Sequence, residues 1–224
     1  MERILEATAD GSHTISIPEL QVTYHSKHGA VQESMHVFIE AGLRYKMQSS
    51  PGALTILEMG FGTGLNALLS LLEAEGREIW YESLEAYPVS LEMALQLNYA
   101  ALLKKQDAVE HFKAMHLAAW NEWVNVTPEF YLYKRETALE AFHPTGNYDI
   151  VYFDAFAPTA QPELWTESVF KKLFDNMKPG GILVTYCSKG IVRRAMQAAG
   201  FSIEKIPGPP GKREMVRATK PMTT

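Results

Sequence analysis

The sequence predicts an α/β fold, a mostly parallel sheet covered by helices on both faces. Three observations carry that expectation. An apolar run over residues 53–57 passes into Glu58, then glycines at alternate positions (Gly60, Gly62 and Gly64), then a helix-forming run over 65–75. That order reads strand, tight turn, helix. Further strand patterns over 78–85, 148–153 and 182–186 alternate with helical ones. At 224 residues and 46% hydrophobic, the chain has material for one sizeable core. No run approaches the roughly 18 apolar residues of a membrane helix.

Taken in order, His13-Thr14-Ile15-Ser16-Ile17 and Gln21-Val22-Thr23-Tyr24, joined by Pro18-Glu19-Leu20, form the pattern of a hairpin outside the main sheet. Val31, Met35, Phe38, Ile39 and Leu43 share one face of a helix over 31–47, which Ser49-Ser50-Pro51-Gly52 breaks. Residues 1–50 are therefore expected to be a hairpin and helix layer packed on a catalytic domain spanning 51–224. Pro88 is expected to open a helix over 89–103. Residues 107–125 read as further helix, with Trp120 and Trp123 packing. A short strand is expected over 130–133, a helix over 137–142 and a buried strand over 148–153. A helix over 169–177 is expected to stop at Pro179-Gly180-Gly181, and a last helix over 191–199 to end with Gly200 at C′.

The glycines permit positive φ and close backbone approach, and such a turn holds a nucleotide-like cofactor at the edge of a parallel sheet. It also serves as a bare strand-to-helix connection. The spacing Glu58-x-Gly60-x-Gly62-x-Gly64 departs from the dinucleotide pattern. It resembles the first motif of class I S-adenosyl-L-methionine (SAM) methyltransferases, whose fold is Rossmann-like. The resemblance implies SAM as cofactor, held by Glu58, Gly60, Gly62, Gly64 and Asn66. Glu85 ends the next strand, where an acid faces the sugar of a bound nucleotide or stands solvated. Asp154 ends the strand over 148–153. A carboxylate there orients an amine or accepts its proton; as a helix N-cap or loop acid it would do neither. Phe156, Ala157 and Pro158 are apolar and stiff, suited to walling a flat substrate.

The net charge of −5 gives no global sign of nucleic-acid binding. The C-terminal part differs: Lys189, Arg193, Arg194, Lys205, Lys212, Arg213, Arg217 and Lys220 stand against only Glu204 and Glu214. Such a tail is an electrostatic footprint for phosphates or a soluble face balancing acids elsewhere. The single Cys187 excludes an internal disulfide framework, and the histidines lack ligand spacing, so no metal is expected. The N-terminal residues form no signal-peptide core, and a cytoplasmic protein is expected.

Asp154-Ala155-Phe156-Ala157-Pro158, followed by Gln161-Pro162-Glu163-Leu164-Trp165-Thr166, resembles the signature of one methyltransferase family. That family modifies the 5-aminomethyl group of the tRNA wobble uridine and is often fused to an FAD-dependent oxidoreductase. Tyr24-His25-Ser26 with Gly29 and Glu33, Thr185-Tyr186-Cys187-Ser188-Lys189-Gly190, and Lys212-Arg213-Glu214-Met215 resemble its other motifs. The resemblance runs from about Tyr24 to about Met215. It implies methylation of the primary amine of 5-aminomethyl(-2-thio)uridine, with Asp154 holding the nucleophile and Phe156 and Pro158 shaping the slot. Tyr24, Lys189, Arg193, Lys212 and Arg213 would meet the anticodon loop, whose uridine must leave its stack. Where the family often carries Gly-Asp for the adenine amino group, this chain has Lys134-Arg135-Glu136, and Glu136 is expected to substitute. A chain ending at Thr224 has no room for an FAD domain, so a stand-alone enzyme without FAD is expected. The alternatives are a small-molecule amine N-methyl- or aminopropyl-transferase, which would need acids in place of Lys212 and Arg213, and a non-catalytic SAM-fold RNA-binding module.

Overall fold

The computed structural model describes residues 2–144 and 146–222; Met1 and Thr224, the outer bounds of the two expected segments, lie outside them. Strands β1 (Ile4–Ala7), β2 (His13–Ile17) and β3 (Val22–Thr23) make a separate antiparallel sheet. The turn between β2 and β3 is a 3-10 helix over Pro18–Leu20, as the proline at its start favours. A continuous helical run follows: α1 (Ala30–Ser34), a π-helical stretch (Met35–Arg44) and α2 (Tyr45–Ser49).

The main sheet begins with β4 (Leu54–Met59), which leads through the glycine turn into α3 (Leu65–Leu72). Next come β5 (Ile79–Glu85), α4 (Leu91–Ala94), α5 (Tyr99–Leu103), α6 (Ala108–Leu117), β6 (Trp123–Thr127) and β7 (Phe130–Glu136). The chain ends with β8 (Tyr148–Phe153), α7 (Glu167–Asp175), β9 (Met177–Thr185), α8 (Gly190–Ala198), β10 (Ser202–Pro207) and β11 (Glu214–Thr219). The eight strands lie in the order β10-β11-β9-β8-β4-β5-β7-β6. The five central ones are mutually parallel, and β6, β11 and β10 run antiparallel to their neighbours.

Alternation along the strands splits the core in two. Ile56, Ile150, Tyr152 and Val184 face one side with Val37, Phe38, Ile39 and Leu43 of the π-helical stretch. Leu57, Val151, Phe153 and Leu183 face the other, against Phe170 and Leu173 of α7 and Val192 and Met196 of α8. Helices on both faces explain why these strands read as continuous apolar runs.

Several expectations need correction. The helix over 89–103 is two short helices, because Asn98 turns outward to accept from the His13 amide (2.9 Å) and donate to the Gly11 carbonyl (2.9 Å). Trp123 lies on β6, not a helix, with its ring edge-on to Trp80 at 5.1 Å. Residues 137–142 form turns; the Lys172 ammonium takes the Leu139, Glu140 and Phe142 carbonyls at 3.1–3.2 Å, bonds a helix would have used internally. Pro179-Gly180-Gly181 does not precede the last parallel strand but lies within β9. There the register shifts and Gly180 and Gly181 pair sideways with Lys220. Gly200 does stand at C′ with φ +109°, and the Phe201 amide bonds the Met196 carbonyl at 3.1 Å.

Candidate active site

Strand β4 sits between β5 and β8, so the chain leaves it in opposite directions on its two sides, and a crevice opens at the C-terminal ends of these strands. A cavity of about 530 Å³ fills that crevice. The glycine turn forms its floor. Gly60, Gly62 and Gly64 all have positive φ (+91°, +52° and +74°), conformations that other residues adopt only under strain. A Cβ on Gly62 would stand 3.1 Å from the Tyr24 ring, and one on Gly64 2.9 Å from His116 Nε2. The turn is therefore crowded as well as bent.

Glu85 ends β5 and lines the cavity. Its carboxylate accepts from the Gly62 amide at 2.9 Å and from the Tyr87 amide at 2.8 Å, which ties the end of β5 to the turn. Asp154 follows β8 and lines the same cavity. Asn66, in the first turn of α3, donates to Asp154 Oδ2 at 2.9 Å, while Asn66 Oδ1 is buried without a partner. Burial, reinforced by the nearby Glu33 and Glu58 carboxyls, pushes the Asp154 carboxyl well above its ordinary range.

The N-terminal segment supplies the facing wall. Tyr24 packs edge-on against Phe156 at 5.4 Å, and both line the cavity. His25, which sequence reasoning left without a role, accepts or donates at 2.7 Å with the Thr63 hydroxyl of the glycine turn. On the opposite side His116 Nε2 donates to the Thr63 carbonyl at 3.1 Å. Burial holds both imidazoles down to about 4, so each is neutral at pH 7. The Tyr24-His25-Ser26 motif was the available signal for His25; nothing local marked His116.

Eight residues expected at the site lie outside the cavity lining: Glu58, Gly64, Glu136, Pro158 and the tail cations Lys189, Arg193, Lys212 and Arg213. Glu58 is buried beneath the turn, accepting from Ser83 Oγ at 2.7 Å, and does not line the cavity. Its carboxyl is pushed up to about 8, chiefly by burial. Glu136 ends β7 exposed, and Thr137 and Leu139 line the cavity beyond it instead. Pro158 is half-buried outside the lining. Lys212 is committed internally: its ammonium pairs with Glu33 at 2.7 Å and lies 3.9 Å from the centre of the Tyr186 ring. Of the other tail cations, Lys189 and Arg213 are exposed, and Arg193 Nε donates to the Ser188 carbonyl at 3.2 Å. Lys189 lies just after β9, at the sheet edge that carries Asp154.

A cavity of this size suits a nucleoside-sized ligand. The crowded positive-φ turn and the Glu85 carboxylate beside it on the lining are features that a SAM-type cofactor would use. No group of metal-ligating side chains occurs among the described residues. No helix among them is long and apolar enough to cross a membrane.

Comparison with known proteins agrees with this geometry. Residues 110–221 match the family model described as S-adenosyl-L-methionine-dependent methyltransferase. The tRNA 5-methylaminomethyl-2-thiouridine biosynthesis bifunctional protein MnmC of Pseudomonas savastanoi pv. phaseolicola is 33% identical over 213 residues, 88% of this chain and 32% of that protein. The protein of the same name from Cupriavidus metallidurans is 29% identical over 97% of this chain and 34% of its own length. The chain thus spans about a third of the length of these curated relatives. The crystal structure of MNMC2 from Aquifex aeolicus superposes with a TM-score of 0.80 at 22% identity, covering 100% of this chain and 73% of that one. At that identity the likeness establishes the fold, the class I Rossmann-like arrangement expected from the sequence. With the glycine turn, Glu85 and Asp154 gathered on one cavity, the chain belongs to the S-adenosyl-L-methionine-dependent methyltransferase family.

Proposed function

We propose that the chain methylates the primary amine of the 5-aminomethyl group on a tRNA wobble uridine, giving 5-methylaminomethyl(-2-thio)uridine. The observation that carries this reading is the Asp154 carboxyl, fixed by Asn66 on the cofactor cavity with its proton affinity raised by burial. The names of the relatives, which cite biosynthesis of that nucleoside, support the choice of amine. Residues 1–50 act in this reading as a layer on the catalytic domain, closing the cavity from above.

Bound SAM supplies an electrophilic methyl carbon on a sulfonium sulfur. Gly60, Gly62, Gly64, Asn66 and Glu85 would hold it, Glu85 through the sugar hydroxyls. A primary amine reaches the site as an ammonium, since its ordinary pKa is near 10, and an ammonium has no lone pair. Asp154 first pairs with that cation. Burial raises the carboxyl and lowers the amine together, which favours moving one N–H proton to Asp154. The freed nitrogen lone pair is then available to the methyl carbon that bound SAM would present, the C–S electrons leaving with sulfur as the N–C bond would form. Phe156 and Tyr24 hold the ring of the substrate and exclude water. Lys189, Arg193 and Arg213 meet RNA phosphates at the rim. Lys212 takes a different part: paired with Glu33, it offsets part of that carboxylate's charge behind Asp154.

Incubation with labelled SAM and tRNA carrying 5-aminomethyluridine, followed by nucleoside analysis, tests the reading. Label in 5-methylaminomethyluridine is the expected result. Transfer to spermidine or another free amine in preference to tRNA would move the protein to the small-molecule class.

A further inference from the structure

Arg3 is the one lysine or arginine lining the cavity among the described residues, against the two carboxylates Glu85 and Asp154. It is held against the segment that follows β5. Its guanidinium donates to the Pro88 carbonyl at 2.8 Å and to the Tyr87 carbonyl, and lies 5.9 Å from the centre of the Tyr24 ring. These bonds go to carbonyls and leave the positive charge uncompensated, and a guanidinium has further N–H donors to give. His25, the other basic group on the lining, is neutral at pH 7.

The cofactor carries a single carboxylate, an anion that neither Glu85 nor Asp154 can hold. The usual backbone solution for an anion at such a turn is largely spent. The Gly60 and Phe61 amides donate to the Leu84 carbonyl, the Gly64 amide to the Phe61 carbonyl and the Gly62 amide to Glu85. We propose that Arg3 binds the carboxylate of the amino-acid portion of SAM, with its fork pre-set by the Tyr87 and Pro88 carbonyls. The N-terminal strand β1, which Arg3 precedes, is then part of the cofactor site. The inference rests on the cofactor alone and holds whatever amine is methylated.

Calorimetric titration with S-adenosylhomocysteine and with 5′-methylthioadenosine, which lacks the amino-acid portion, tests it. For Arg3→Ala, affinity for S-adenosylhomocysteine should fall about 10- to 100-fold, the range for a hydrogen bond to a charged group. Affinity for methylthioadenosine should stay within about twofold. Arg3→Gln, which keeps donors for the two carbonyls without the charge, should show the same split and guards against a folding defect in the alanine variant. Equal losses for both nucleosides would overturn the proposal by making Arg3 a strap only. Unchanged affinity for both would overturn it too, and a loss confined to tRNA binding would assign the cation to RNA phosphate instead.

Discussion

The cavity has two walls of different origin. One is made by the C-terminal ends of β4, β5 and β8, where Gly60, Gly62, Asn66, Glu85 and Asp154 lie next to the strands that place them. The other comes from the N-terminal segment, where Arg3, Tyr24 and His25 reach the cavity through contacts with residues 38 to 132 positions away. The first wall is fixed by local backbone geometry: strand ends converge at the switch point, and positive φ makes the turn. The second depends on tertiary packing. Sequence patterns report the first kind of wall; of the second, the Tyr24-His25-Ser26 motif gives a sign and Arg3 gives none.

Substitutions on the two walls should therefore fail in different ways. The largest effect is expected from Asp154→Ala on the strand wall: methyl transfer falls by about 10²- to 10⁴-fold, the range for a lost acid–base group. Affinity for S-adenosylhomocysteine should change little. A single-turnover assay beside calorimetry separates the two, and equal loss of both would reduce Asp154 to a cofactor contact.

Gly64→Ala comes next. It forces a Cβ into φ +74° and to within 2.9 Å of His116 Nε2. Stability should drop by about 1–2 kcal/mol from the backbone term alone, with cofactor affinity lost as the turn opens. Thermal melts with and without S-adenosylhomocysteine check this, and an unchanged ligand-induced shift would show that the turn tolerates movement.

The tail cations divide in the same manner. Lys212→Ala strips the partner from the largely buried Glu33 and should lower the melting temperature. Arg213→Ala should leave the melt alone and weaken tRNA binding, reducing its salt slope by about one. If Lys212→Ala weakened tRNA binding without destabilising the fold, the division would be wrong.

The most specific effect, confined to one pH window, concerns Glu58. Its carboxyl is raised from the ordinary 4.5 to about 8 by burial, so the folded state binds the proton more tightly than the unfolded one. The resulting stability is fully present below pH 4.5 and is lost as pH rises through about 8, at up to about 1.4 kcal/mol per pH unit. Glu58→Gln should flatten that decline in denaturant melts taken between pH 5 and pH 9. Asp154, shifted in the same direction, leaves a residual slope. A variant with the wild-type slope would show that Glu58 is ionised throughout.

How far the sequence was legible follows the same boundary. Strand β8 lies where its apolar run places it, Tyr148–Phe153, because a strand buried on both faces has little choice of register. The hairpin of β10 and β11 escaped notice, since Ser202–Pro207 is largely exposed and carries no continuous apolar run. Glu58 lies beneath the turn and off the cavity lining: alternation along β4 decides which side of the turn an acid faces, and the motif spacing does not. Arg3 left no local trace, because its role depends on carbonyls more than eighty residues away.

A crystal structure with bound S-adenosylhomocysteine tests the central claim most directly. The account predicts the ligand in the cavity among the glycine turn, Glu85 and Asp154, with its sugar hydroxyls on the Glu85 carboxylate and its sulfur open toward Asp154. A ligand bound with its sugar away from Glu85, or with Asp154 screened from the sulfur, would contradict it.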